Sequence, residues 1–112
     1  LEKDKVLDII KTQPKQFQTV LFSILSLRKN NTSIYTGEIY NLYKKVCFKV
    51  GLRPLTQRRV SDIIGEFELI GIINTKTISK GRYGRAREIN LSIASSTLPL
   101  TKKILEEELE LV

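Results

Sequence analysis

The stretch Leu52-Arg-Pro-Leu-Thr-Gln-Arg-Arg-Val-Ser-Asp-Ile-Ile-Gly-Glu-Phe-Glu-Leu-Ile-Gly-Ile-Ile73 carries the reading of the fold. Leu52 to Leu55 is a compact turn, and Thr56 is placed to cap a helix. Val60, Ile63, Ile64 and Phe67 follow at i, i+3, i+4 and i+7, one apolar face of a helix that ends near Gly71. Beyond it the period changes. Ile72 to Ile78 is rich in β-branched residues, and Glu88 to Ile93 alternates with Ile89, Leu91 and Ile93 on one side. Between these runs, Lys80-Gly-Arg-Tyr-Gly-Arg85 reads as the tip of a β-hairpin, because Gly81 and Gly84 admit backbone angles that other residues resist.

Upstream, Val6, Leu7, Ile9 and Ile10 suggest a short helix over 3–10, and Pro14 falls in the first turn of the next. In that second helix Phe17, Val20, Leu21, Ile24 and Leu25 form a continuous apolar face until Arg28, Lys29, Asn30 and Asn31 stop it. Ser33 to Tyr35 favours a short strand. Thr36 can then cap a helix whose Ile39, Leu42, Tyr43, Val46 and Val50 keep helical spacing up to Gly51. Ser95, Ser96 and Pro99 separate the hairpin from a last acidic helix over 101–111, with Ile104, Leu105 and Leu109 on its apolar side. The order of elements predicts a mainly α chain with a small β-hairpin, an α+β winged helix-turn-helix whose 56–71 helix enters a major groove and whose hairpin is the wing.

Composition narrows what such a domain can do. The chain has 112 residues, 41% hydrophobic and 28% charged, and this is the composition of one globular domain, with no repeat and no linker. With no His and a single Cys it lacks the ligands of an ordinary zinc or iron site and the partners of a Ser-His or Cys-His nucleophile. Its 19 Lys plus Arg against 12 acids give a formal charge of +7, which points to a polyanion as partner. No apolar run approaches the ~20 residues needed to span a bilayer, and no leader is recognised, so a soluble, cytoplasmic, nucleoid-associated domain without membrane contact is expected. Because the chain opens on Leu1 and contains no Met, it is expected to be part of a longer protein. The expected organisation is a single domain over 1–112, with a core of about 5–94 and the acidic helix at about 100–111.

Turning the apolar face of the 56–71 helix inward leaves Arg58, Ser61, Asp62 and Gly65 outward, with Gln57 and Arg59 on the flanks. Arg can bridge guanine O6 and N7, Gln can pair with adenine N6 and N7, and the free backbone N–H groups of a first turn can hold a phosphate. The bland alternative is a solvated charged turn. Two Arg at the positive end of a helix dipole are nonetheless unfavourable there without a partner. Gly65 costs about 1 kcal/mol relative to Ala in mid-helix, which either close approach to a DNA backbone or an unselected surface would explain. Lys76, Lys80, Arg82, Arg85 and Arg87 line the hairpin with Tyr83 among them, suited to phosphates or a narrow minor groove, or else a charged edge that resists aggregation. Tyr40 and Tyr43 read as core and boundary packing sooner than as contacts. Lys44, Lys45 and Lys49 read equally as backbone contacts or as an exposed basic face, and Glu106, Glu107, Glu108 and Glu110 would keep the last helix away from DNA.

The long stretch quoted above, together with Ser79-Lys-Gly-Arg-Tyr-Gly-Arg-Ala-Arg-Glu-Ile89, resembles the C-terminal winged-helix domain of the archaeal origin-recognition and cell-division-control initiator family. Thr36-Gly-Glu-Ile-Tyr40 resembles that family's second helix. The resemblance implies a parent protein with an upstream AAA+ ATPase domain that binds ATP or ADP with Mg, recognises double-stranded origin DNA and helps load the replicative helicase. This chain has no Gly-Lys-Thr/Ser loop, and it is expected to hold no cofactor and to be non-catalytic. Carried over by position, helix contacts fall on Thr56, Gln57, Arg58, Arg59 and Ser61, and wing contacts on Lys80, Arg82, Tyr83, Gly84 and Arg85. Helicase or further initiator copies are possible partners, with the domain itself a monomer. Two other uses of the fold remain open. One is a winged helix that mainly contacts protein, and the other is a transcription regulator that dimerises symmetrically through its acidic last helix.

Overall fold

The computed structural model describes residues 3–28, 34–79 and 85–111. Helix α1 (Lys3–Thr12) leads into α2 (Lys15–Leu27), and strand β1 (Ile34–Tyr35) runs directly into α3 (Thr36–Val50). Helix α4 (Gln57–Ile70), strands β2 (Ile73–Ser79) and β3 (Arg85–Leu91), and helix α5 (Leu98–Glu108) complete the order. This is the winged helix-turn-helix order anticipated above.

Helix α2 is the hub. Its apolar residues Val20, Leu21, Ile24 and Leu25 are buried as expected, but so are Gln18, Thr19 and Ser23, because α5 packs with it as α3 and α4 do, while α1 packs on α5 and meets α2 through Gln18. Buried polar groups need partners, and these have them within the helical layer. The Ser23 hydroxyl donates to the Thr19 carbonyl at 2.8 Å, Thr19 donates to the Lys15 carbonyl at 2.8 Å, and Gln18 Nε2 donates to the Ile10 carbonyl at 3.0 Å. Pro14 stands at the N-cap, one step outside the helical turn in which it was expected.

Helix α4 seats Val60, Ile63, Ile64 and Phe67 into the same core, and all four are at most 1% exposed. Phe67 meets Phe17 of α2 edge to face, with centroids 5.8 Å apart and an interplanar angle of 75°. Both helices that frame the turn end on glycine, Gly51 at φ 77° and Gly71 at φ 93°, a left-handed conformation that only glycine adopts without strain.

The sheet is antiparallel with strand order β1-β3-β2. Ile34 pairs with Ile89, and β2 pairs with β3 from Ile73↔Leu91 to Ser79↔Arg85. Four sequence expectations shift. The second hairpin strand runs from Arg85 to Leu91 rather than from Glu88 to Ile93, since the ladder continues outward to Ser79↔Arg85, which moves Arg85 from the tip into the strand. Ile93 lies past the strand yet is buried. Thr36 is the first residue of α3 and not its cap. Tyr35 holds the N-cap position, and the Thr36 hydroxyl oxygen is buried with no hydrogen-bond partner among the described residues. The last helix starts at Leu98, three residues early, because Pro99 fits a first turn, where its missing N–H is no loss. Helix α5 buries Thr101, Ile104 and Leu105 against α1 and α2, and Leu109 just beyond it is also buried.

Candidate nucleic-acid interface

The turn that launches α4 is held from below by α2 and α3. The Tyr43 hydroxyl accepts from the Leu55 N–H at 2.9 Å and donates to Gln16 Oε1 at 2.5 Å. Gln16 Nε2 in turn donates to the Arg53 carbonyl at 2.9 Å, and the Tyr40 hydroxyl donates to the Leu55 carbonyl at 3.0 Å. Both polar groups of Leu55 are therefore fixed by tyrosines one helical turn apart, and their rings stack with centroids 6.0 Å apart. In sequence, core and boundary packing is favoured for Tyr40 and Tyr43 over contacts with a partner, and neither reading includes the role of their hydroxyls. These contacts reach 12 and 15 residues along the chain and leave no local pattern in the sequence.

Burial raises the Tyr43 hydroxyl from its ordinary value of 10.0 to about 12, outweighing the bond from the Leu55 N–H, which lowers it. The folded protein then keeps a proton that the unfolded chain loses, so this group stabilises the fold below pH 10, and that contribution falls away between about pH 10 and 12. Tyr43→Phe is expected to cost about 1 kcal/mol, the low end for a half-exposed turn left with an unmatched N–H. Urea melts at pH 8 and pH 11 check this, since the variant should also lose part of the alkaline decline.

On α4, Thr56 acts as the expected cap, its hydroxyl oxygen accepting from the Arg59 N–H at 3.2 Å. Gln57, Arg58 and Arg59 follow in the first turn, all exposed. Arg59 leans toward Asp62 at 3.8 Å, an exposed i, i+3 pair worth little. Gly65 lies outward, and a Cβ built on it meets nothing within 4 Å, so nothing in the fold itself demands a glycine there. Ser61 is different from its neighbours. It is half-buried, with its hydroxyl 2.6 Å and its carbonyl 3.1 Å from the Arg87 guanidinium.

Of the expected wing residues, Lys80, Arg82, Tyr83 and Gly84 lie outside the described residues, and of Arg85 only the backbone, paired with Ser79, is described. Lys76 is exposed on β2. The hairpin's base is anchored to α4 on its other strand as well, since Glu68 Oε2 accepts from Thr75 Oγ1 at 2.8 Å and from the Thr75 N–H at 3.2 Å. On α3, Lys44, Lys45 and Lys49 are exposed, with Lys44 Nζ 4.9 Å from the Tyr40 ring centroid. The arrangement places a cationic helix N-terminus, launched from a hydrogen-bonded turn, and a hairpin base that carries Lys76 and Arg87 on a common scaffold. Among the described residues no His, Cys, Asp and Glu group could hold a metal ion, and no helix is long and apolar enough to cross a membrane.

Comparison with known proteins bears on this arrangement. Residues 8–100 match the family model of the CDC6 C-terminal winged helix domain. The chain is 43% identical over 111 residues to ORC1-type DNA replication protein 1 of Archaeoglobus fulgidus, which covers 99% of this chain and 26% of that protein. It is 47% identical over 94 residues to ORC1-type DNA replication protein 4 of Haloarcula marismortui, covering 83% of this chain and 18% of that protein. The chain thus spans about a quarter or less of these curated relatives. Among solved structures, the Aeropyrum pernix ORC1 protein in complex with DNA superposes with a TM-score of 0.84 at 37% identity, over 95% of this chain and 27% of that one. The Pyrobaculum aerophilum Cdc6p superposes at 0.73 with 18% identity, over 98% of this chain and 26% of that one, a likeness of fold.

Proposed function

The chain belongs to the family of CDC6 C-terminal winged helix domains, and from that membership we propose that it is the double-stranded-DNA-binding module of an archaeal replication initiator. The observation that carries the proposal is the first turn of α4. Gln57, Arg58 and Arg59 stand exposed at a helix N-terminus whose preceding turn is hydrogen-bonded by Tyr40, Tyr43 and Gln16. Side chains that read base edges must be held rigidly, and this turn is held. In the proposed complex Gln57, Arg58 and Arg59 enter the major groove of origin DNA. The backbone around Thr56 meets a phosphate, while Lys80, Arg82, Tyr83, Gly84 and Arg85 follow the adjacent minor groove and backbone. The excess of positive charge, +7 over the chain, supports this reading, as does the superposition on an ORC1 protein bound to DNA. Chemistry on ATP, with Mg, would belong to another part of the parent protein, as would loading of a helicase.

Neutralising the wing tests the reading against the protein-contact alternative. Arg82→Gln with Arg85→Gln is expected to weaken binding to all duplexes alike and to flatten the log–log salt slope by about 2, one unit per lost phosphate contact. Fluorescence anisotropy on two duplexes of unrelated sequence reads both quantities. An unchanged slope and affinity would remove the wing from the interface and favour a protein partner.

A further inference from the structure

Arg87 is the one wing cation whose guanidinium the structure places, and it points to α4 rather than outward. It lies on β3 opposite Thr77, half-buried, and donates to both the hydroxyl and the carbonyl of Ser61. Seven residues further along α4, two helical turns or about 10 Å, Glu68 takes both donors of Thr75 on β2. Helix and hairpin are thus tied at two separated points, one on each strand. A single tie would leave the hairpin free to pivot about it, and two ties on different strands fix its angle.

We propose that Arg87 is a positioning residue: clamped on Ser61, and together with the Glu68–Thr75 tie, it locks the wing to the recognition helix so that both meet one duplex in a single register, and it sets sequence preference without touching DNA. Ser61 then serves as the helix side of the clamp and not as a base contact. This rests on the DNA-binding reading above. A cation spent on an internal hydrogen bond to a neutral acceptor contributes geometry, and preference between sequences depends on geometry more than total charge does.

The test is a double-mutant cycle of Ser61→Ala and Arg87→Gln, read by anisotropy on an origin-repeat duplex of a relative and on its scrambled counterpart, with thermal melts alongside. Each single change is expected to reduce the preference between duplexes about fivefold, near the value of one lost hydrogen bond, with the salt slope kept. The double variant should be no worse than either single one. Additive losses would return Ser61 to direct base contact. A slope flattened by about 1 in Arg87→Gln, with equal loss on both duplexes, would make Arg87 a phosphate ligand. Loss that merely follows a fall in melting temperature would reduce the pair to a structural role. Each of these results overturns the proposal. If the unaltered domain binds neither duplex, the DNA reading falls, and the lock is then judged by amide hydrogen exchange along β3. Both variants accelerate that exchange if the pair ties wing to helix, and leave it unchanged if it does not.

Discussion

Phe67→Ala is expected to destabilise the domain by about 3–5 kcal/mol, the cost of deleting a fully buried aromatic ring. Phe67 is 0% exposed, its ring meets Phe17 of α2, and its carbonyl accepts from the N–H groups of Gly71 and Ile72 at the end of α4. The ring therefore seats the C-terminal half of α4 on α2. Because a domain of this size is typically stable by only about 5–15 kcal/mol, the variant should approach half-unfolding at modest urea concentration. Urea titration followed by circular dichroism should show a lower midpoint at an unchanged slope. A loss below about 1 kcal/mol would mean that the site collapses around the missing ring and that α4 is seated by other contacts.

Arg58→Ala acts at the opposite end of the same helix and in the opposite way. Arg58 is exposed, and among the described residues no acceptor holds its guanidinium, so stability should move by less than about 0.5 kcal/mol. Removing a cation from the positive end of the dipole even favours the helix slightly. The effect belongs to binding. A bidentate contact to guanine is worth about 1–3 kcal/mol of discrimination, so the preference for an origin-repeat duplex over a scrambled one should shrink by roughly 5- to 150-fold. Affinity for the scrambled duplex should change far less. Equal weakening of both duplexes would assign Arg58 to a phosphate.

Helix α4 was legible from residues alone, because its signals are local. Thr56 supplies a cap oxygen three residues before a matching N–H, Val60 to Phe67 supply the apolar face, and Gly71 supplies the left-handed stop. What escaped the sequence depends on distant partners. The buried polar residues of α2 make sense only once α5 covers that side, and although the short strand at Ile34–Tyr35 was readable, its pairing of Ile34 with Ile89 far along the chain was not. Pattern placed Tyr40 and Tyr43 on the right helix, yet their hydroxyls act on Leu55 across the turn, a contact with no periodicity. Arg87 was counted among wing cations because charge is visible in sequence and direction is not.

Binding of double-stranded DNA through several phosphates and a base-reading helix is the central proposal for this domain. Fluorescence anisotropy of the unaltered chain, titrated with an origin-repeat duplex and a scrambled duplex across a salt series, tests it directly. Tighter binding to the origin repeat and a log–log salt slope of about −3 to −6, corresponding to several neutralised phosphates, are expected. Binding that is absent, or that does not respond to salt, would contradict it.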